Sequence, residues 1–155
     1  MVDWNYAVIL GFLGQLNDRF SSYGVNRTVA EKIAVAAQIE GIQGIEMVYP
    51  GDFLDQDETL RLMAQHGLQV STVNVNLKSE PKFHRGSLTS RDAGVRREAV
   101  AYMQQGMDLA AKAGCNMITM CPLADGFDYA FESDYIQAWR WLLDGIGAAA
   151  AYRPE

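Results

Sequence analysis

Apolar and polar positions along the chain repeat in one order, four times over: an apolar run of strand length, then a segment with helical periodicity. The first run is "AVILGFLG", Ala7 to Gly14, continuous in the way of a strand buried on both faces of a parallel sheet. A helix is expected from "TVAE", where Thr28 and Glu31 have capping-box spacing. Val29, Ile33 and Ala36 share one face of it, and Gly41 ends it. The second strand is "IQGIEMVYP", followed by a helix through "DETLRLMAQHG" that closes at Gly67. The third, "LQVSTVNVNL", alternates at its end, with Val73 and Val75 on one side and Asn74 and Asn76 on the other. A long loop, "KSEPKFHRGSLTS", leads to a helix from about Arg91 to Ala113, striped by Val95, Ala99, Tyr102, Gly106, Leu109 and Ala113 and closed by Gly114. The fourth strand is "CNMITMCP", then the loop "LADGFDYAFES" and the helix "DYIQAWRWLLDGIGAAAAY".

Strands alternating with helices of this length specify an α/β fold of parallel strands joined by right-handed crossovers. The helix-to-strand links are one or two residues around a glycine. The strand-to-helix loops are long and carry the polar and aromatic residues, as when a site forms at strand C-termini. Four such units make half of an eight-stranded barrel, or a small open doubly wound sheet; the pattern alone does not choose. The helix that ends near Pro154 would ordinarily lead into another strand, so the expectation is a single domain over residues 1–155 that is the N-terminal half of a barrel. An open half-barrel would leave the edges of strands one and four unpaired, with Met47, Tyr49 or Val75 exposed on its concave face. Pairing strand one of one copy with strand four of another would repair both faults, so a homodimer, or pairing with a separate C-terminal half, is expected.

Composition narrows the partners. Thirteen basic against nineteen acidic residues give a net charge of −6, which argues against nucleic acid and anionic membrane. The stretch "YAVILGFLG" is preceded by Asp3, lacks flanking Lys or Arg and has no small-residue cleavage site after it, so it reads as a strand and not a signal peptide. No run of about 18 apolar residues occurs to span a membrane. Cys115 and Cys121 lie at opposite ends of one expected strand, roughly 20 Å apart. That is beyond disulfide reach, which points to reduced thiols and the cytoplasm.

Candidate chemistry collects at the expected strand ends. Glu46 stands in a strand that should be buried on both faces, where an unpaired carboxylate is costly and working groups of barrels commonly sit. Asn74 and Asn76 share a face at the end of strand three, suited to hydroxyls or water. His84 lies in the following loop, and Asp125 and Gly126 form a turn after strand four. Cys121, with no histidine near it in sequence, reads as packing, as do Trp139 and Trp141; His66 beside a helix C-terminus reads as structural. There is no Cys/His zinc spacing, phosphate-cradling loop or nucleophile elbow.

Four stretches together resemble the sugar isomerase and epimerase branch of the xylose-isomerase-like barrel superfamily. They are "DRF" after strand one, "GIQGIEMVYPGDF", "GSLTSRDAGVRREAVAYMQQGMDLAAKAGC" and "CPLADGFDY". The resemblance covers nearly the whole chain, in order. It implies a barrel that binds a divalent cation, Mn²⁺, Mg²⁺ or Co²⁺, and interconverts aldoses and ketoses or epimerises them, the cation acting as Lewis acid. By position it assigns Glu46 to the pocket and Asp125, Gly126 and Tyr129 to the loop bordering the sugar; His84 falls in the loop after strand three. Cys121 stands where relatives often carry a tryptophan that walls the pocket. The family's cation ligands lie on strands five to eight, so this chain alone is expected to hold no cation and to be inactive. Two other readings compete: a non-catalytic half-barrel that serves as an assembly or binding module, and a metal-dependent abasic-site DNA hydrolase. The acidic balance and the missing histidines at the ends of strands three and four disfavour the latter.

Overall fold

A computed structural model of the chain describes residues 5–17, 21–53, 55–123, 125 and 129–154. The "DRF" stretch and Gly126 lie outside the described residues. Four parallel strands form one sheet: β1 (Tyr6–Ile9), β2 (Ile42–Tyr49), β3 (Gln69–Val75) and β4 (Ile118–Met120). Their spatial order is β1-β2-β3-β4, the order of the chain. Sequential order is what an unclosed segment of barrel requires and what a doubly wound sheet lacks, since the latter reverses at a switch point. The half-barrel expectation therefore holds.

Helices α1 (Val29–Ala36), α2 (Gln56–Gln65) and α3 (Ala93–Lys112) follow the first three strands, and α4 (Tyr135–Ala151) follows β4. Local chemistry starts and stops them. Thr28 closes a full capping box on α1, its hydroxyl accepting from Glu31 N–H while Glu31 accepts from Thr28 N–H. Asp55, Asp92 and Asp134 cap the other three with side-chain oxygens. Gly41, Gly67 and Gly114 turn the chain back to a strand at φ of 83°, 68° and 70°, a conformation costly for other residues.

The core lies between the sheet and the helices. Ile45, Met47, Val73 and Val75 are all at most 1% exposed and meet Ile33, Met63, Leu109 and Met103. This corrects one expectation: Met47 and Val75 belong to the helix side of the sheet, not to its concave face. Tyr49 also turns that way, donating its hydroxyl to Gln105 of α3 at 2.7 Å and packing edge-on against Tyr102. Alternation along a strand puts Glu46 and Asn74 opposite these residues, on the concave side.

Two strands are shorter than their apolar runs. β1 stops at Ile9 and the chain tightens into a 3-10 turn, Leu10–Leu13, in which Leu10 is fully buried. A two-stranded antiparallel ribbon follows, Leu16–Asn17 against Ser22–Tyr23. β4 keeps only three residues of "CNMITMCP". Cys115 lies before it, buried, with Sγ 3.2 Å from the Ser71 carbonyl, and Cys121 lies after it, exposed; both are free thiols.

Candidate functional site

Glu46 is flanked in β2 by two residues with no solvent exposure, so its own side chain takes the opposite, open face. Asn74 on the neighbouring strand donates its Nδ2 to Glu46 Oε1 at 2.8 Å. Register carries the row one strand further, since Asn74 stands opposite Thr119 of β4. Thr119 Oγ1 is buried, and it is the one such side-chain oxygen or nitrogen without a hydrogen-bond partner among the described residues. A buried hydroxyl left unpaired costs about 1–3 kcal/mol, and such groups mark places where water or a ligand completes the bonding. The sequence reading missed Thr119. The signal was available in "ITM", a single polar residue between two apolar ones, which fixes the face it takes once Ile118 is assigned to the core.

The remaining candidates do not join this row. Asn76 turns its amide on its own loop: Oδ1 accepts from the N–H groups of Lys78 and Ser79 at 3.1 and 3.3 Å, and Nδ2 donates to Ser79 Oγ. Asp125 is an internal strut. It accepts from the N–H and hydroxyl of Thr89, both at 2.7 Å, from Ser87 N–H at 2.7 Å, and from the Ser87 hydroxyl. Ser87 and Thr89 were not foreseen as its partners; they lie 38 and 36 residues away in the chain, and only the fold brings them there. His84 is exposed at the end of a 3-10 turn, Pro81–Phe83. Tyr129 is 70% exposed at the start of another such turn, Ala130–Glu132, and Cys121 is exposed beyond β4.

A charged pair sits near the end of β2. Asp52, 5% exposed, accepts from Lys32 Nζ at 2.6 Å and from Val48 N–H at 2.9 Å. Its two partners tie α1 to the strand end, a structural task that occupies both carboxylate oxygens. Burial raises the Tyr49 hydroxyl above its ordinary pKa, with Tyr102 adding to the effect, so it remains a neutral donor to Gln105. Among the described residues no group of three or more His, Cys, Asp or Glu side chains is placed to hold a metal ion. Glu46 is one carboxylate bonded to an amide, and Asp125 and Asp52 are committed elsewhere. These residues do not fit the divalent cation that the resemblance implies.

A family model described as xylose isomerase-like TIM barrel matches residues 33–155. The chain belongs to that family. Within this xylose isomerase-like family, curated relatives include a "Xylose isomerase" of Thermus caldophilus, 33% identical over 95 residues, 61% of this chain and 24% of that protein. A "Probable sugar isomerase" of Mesorhizobium japonicum is 26% identical over 145 residues, 88% of this chain and 34% of that one. A solved xylose isomerase domain protein from Planctomyces limnophilus superposes with a TM-score of 0.54 at 18% identity, covering 95% of this chain and 50% of the other. That likeness shows the fold. The chain thus spans between about a quarter and a half of the length of these relatives.

Proposed function

We propose that this chain supplies the strand-one-to-strand-four half of a sugar isomerase or epimerase barrel, with Glu46, Asn74 and Thr119 binding sugar hydroxyls on its inner face. The orphaned Thr119 hydroxyl beside the Glu46–Asn74 pair carries the reading. A sugar hydroxyl both donates and accepts; a carboxylate, an amide and a hydroxyl in one row offer every complementary bond. Asn74 orients Glu46, so the remaining carboxylate oxygen is presented to a ligand without a further search of rotamers. No catalytic step is assigned to these residues. The divalent cation of the resemblance would be held by strands five to eight of a completed barrel, and pairing with a second half-barrel would close the pocket. Two free thiols fit a reducing compartment, the cytoplasm.

The test has two readouts. The purified chain, given a panel of aldoses and ketoses with Mn²⁺, Mg²⁺ or Co²⁺, is expected to produce no interconversion. In ¹⁵N spectra the same sugars are expected to shift the Asn74 side-chain amide signals, an effect lost in Glu46→Gln. Ketose formation by the chain alone would overturn its assignment as an incomplete half. Unmoved Asn74 signals with every sugar would overturn the hydroxyl-binding row.

A further inference from the structure

The chain is acidic as a whole and basic in one place. Residues 78–97 hold six of its thirteen Lys and Arg and only two of its nineteen Asp and Glu, so this stretch carries +4 while the rest carries −10. It is the segment that leaves β3 and opens α3, and it starts beside the proposed site. Lys78 follows Asn74 by four residues, within about 14 Å of it even along a straight chain. The chain is not straight there, because the Asn76 side-chain oxygen draws the Lys78 and Ser79 N–H groups back onto itself.

Most of these charges have nothing to neutralise them. Of Lys78, Lys82, Arg85, Arg91, Arg96 and Arg97, only Lys82 makes an ion pair among the described residues, with Glu98 at 3.0 Å. Arg91 donates to the Glu132 carbonyl, and Arg96 to the carbonyls of Ser90 and Arg91, which fixes both without cancelling their charge. Lys78 and Arg85 are exposed, on a backbone that is firmly seated. Leu77, Phe83 and Leu88 are at most 1% exposed and join Val75 and Met103 in one cluster. Like charges held on such a loop repel one another and focus a positive field on what lies beside them. Glu46 makes the inner row itself unfavourable for an anion. A charged group on the ligand therefore belongs at the rim, and hydroxyls at the row.

We infer that the sugar taken by this site carries an anionic group, a phosphate or a carboxylate, held by Lys78 and Arg85 while Glu46, Asn74 and Thr119 take its hydroxyls. The inference rests on the hydroxyl-binding row of the proposed function and names the class of sugar that row accepts. Charge-assisted bonds from a lysine and an arginine suit either anion, the arginine as a two-pronged donor and the lysine as a point charge.

The purified chain is titrated with xylulose, xylulose 5-phosphate and xylonate at low salt, reading the Asn74 side-chain amide signals. At least one anionic sugar should bind roughly tenfold or more tightly than neutral xylulose, and which one does so separates phosphate from carboxylate. The advantage should shrink as salt is raised, since the anion is held at an exposed rim. Lys78→Glu and Arg85→Glu alter exposed side chains and should each remove most of the advantage while leaving the affinity for xylulose unchanged. Lys78→Gln and Arg85→Gln serve in their place if either reversal fails to fold. Arg153→Glu makes the same charge change past the C-terminal end of α4, away from the strand C-termini, and should leave the advantage intact. Equal binding of all three sugars would overturn the inference and leave the hydroxyl row standing. Unmoved Asn74 signals with all three would remove the row, and the inference with it, so the two failures read differently. Backbone amide shifts at Lys78 and Arg85 caused by a DNA duplex and not by either anionic sugar would assign the stretch to nucleic acid and also overturn the inference.

Discussion

Helices α3 and α4 are similar in sequence character and opposite in fate. Both are long, both start on an aspartate cap, and both carry apolar residues at helical spacing. α3 buries Ala99, Met103, Gly106, Leu109 and Ala110 against β3, whereas among the described side chains of α4 only Ala149 is buried. Helical periodicity announces a face that wants cover. Whether the face becomes core depends on a strand arriving under it, and that is a property of the sheet, not of the helix. α3 lies over the middle of the sheet and α4 over its edge.

The largest test of this difference removes one leucine from each helix. Leu109 is 2% exposed within the main cluster, and Leu109→Ala should cost about 2–5 kcal/mol through lost transfer and a residual cavity. Leu143 is half exposed, and Leu143→Ala should stay within about 0.5 kcal/mol. The measurement is urea denaturation of both variants beside the wild type. Equal costs would show that α4 is covered as fully as α3.

Besides α3, its main neighbour, α4 meets Leu88, fully buried, in a loop anchored by Asp125. Asp125→Ala removes the acceptor for four donors on Ser87 and Thr89, which are 0 and 5% exposed. Hydrogen bonds to a charged group and the donors left unpaired set the expected loss at about 3 kcal/mol. Hydrogen exchange should show the loss concentrated in α4 and residues 86–90, with α3 protected. Uniform loss across the chain would mean that α4 and α3 unfold as one unit.

The strands, their order and the helix boundaries were legible because each rests on local signals: apolar runs, capping oxygens and glycines at helix ends. The Glu46–Asn74 pair was legible for a related reason, since alternation assigns a face and neighbouring strands bring like faces together. Asp125 was noticed, but its partners were not, because an ion or strut contact across 36 residues leaves no periodic trace. Asn76 shows the converse failure. Alternation set it beside Asn74, yet an asparagine just beyond a strand can satisfy its amide on the next turn of chain, and here it does. The side taken by Met47 and Val75 follows from alternation only once Glu46 and Asn74 fix the open face, since apolar residues suit either side of a barrel strand.

The smallest effects come from a glycine in each helix, and they probe how closely each one is packed. A Cβ on Gly106 of α3 would lie 2.5 Å from Val75 Cγ2. Val75 is 1% exposed, branched at Cβ and held in the sheet, so it has little room to move. Gly106→Ala should therefore cost about 1–3 kcal/mol by forcing helix and strand apart, outweighing the gain of about 1 kcal/mol that alanine brings to a helix interior. On Gly145 of α4 the nearest contact would be Leu88 Cδ2 at 2.8 Å, the far end of a side chain with other rotamers, beside a helix packed on one side only. There the clash can relax, and the propensity gain offsets most of what remains, so Gly145→Ala should change stability by less than about 1 kcal/mol. Thermal unfolding of the two variants side by side reads the difference directly. If Gly145→Ala proved as costly as Gly106→Ala, α4 would be seated on Leu88 as rigidly as α3 is on Val75, and the contrast between the two helices would reduce to their exposed stripes.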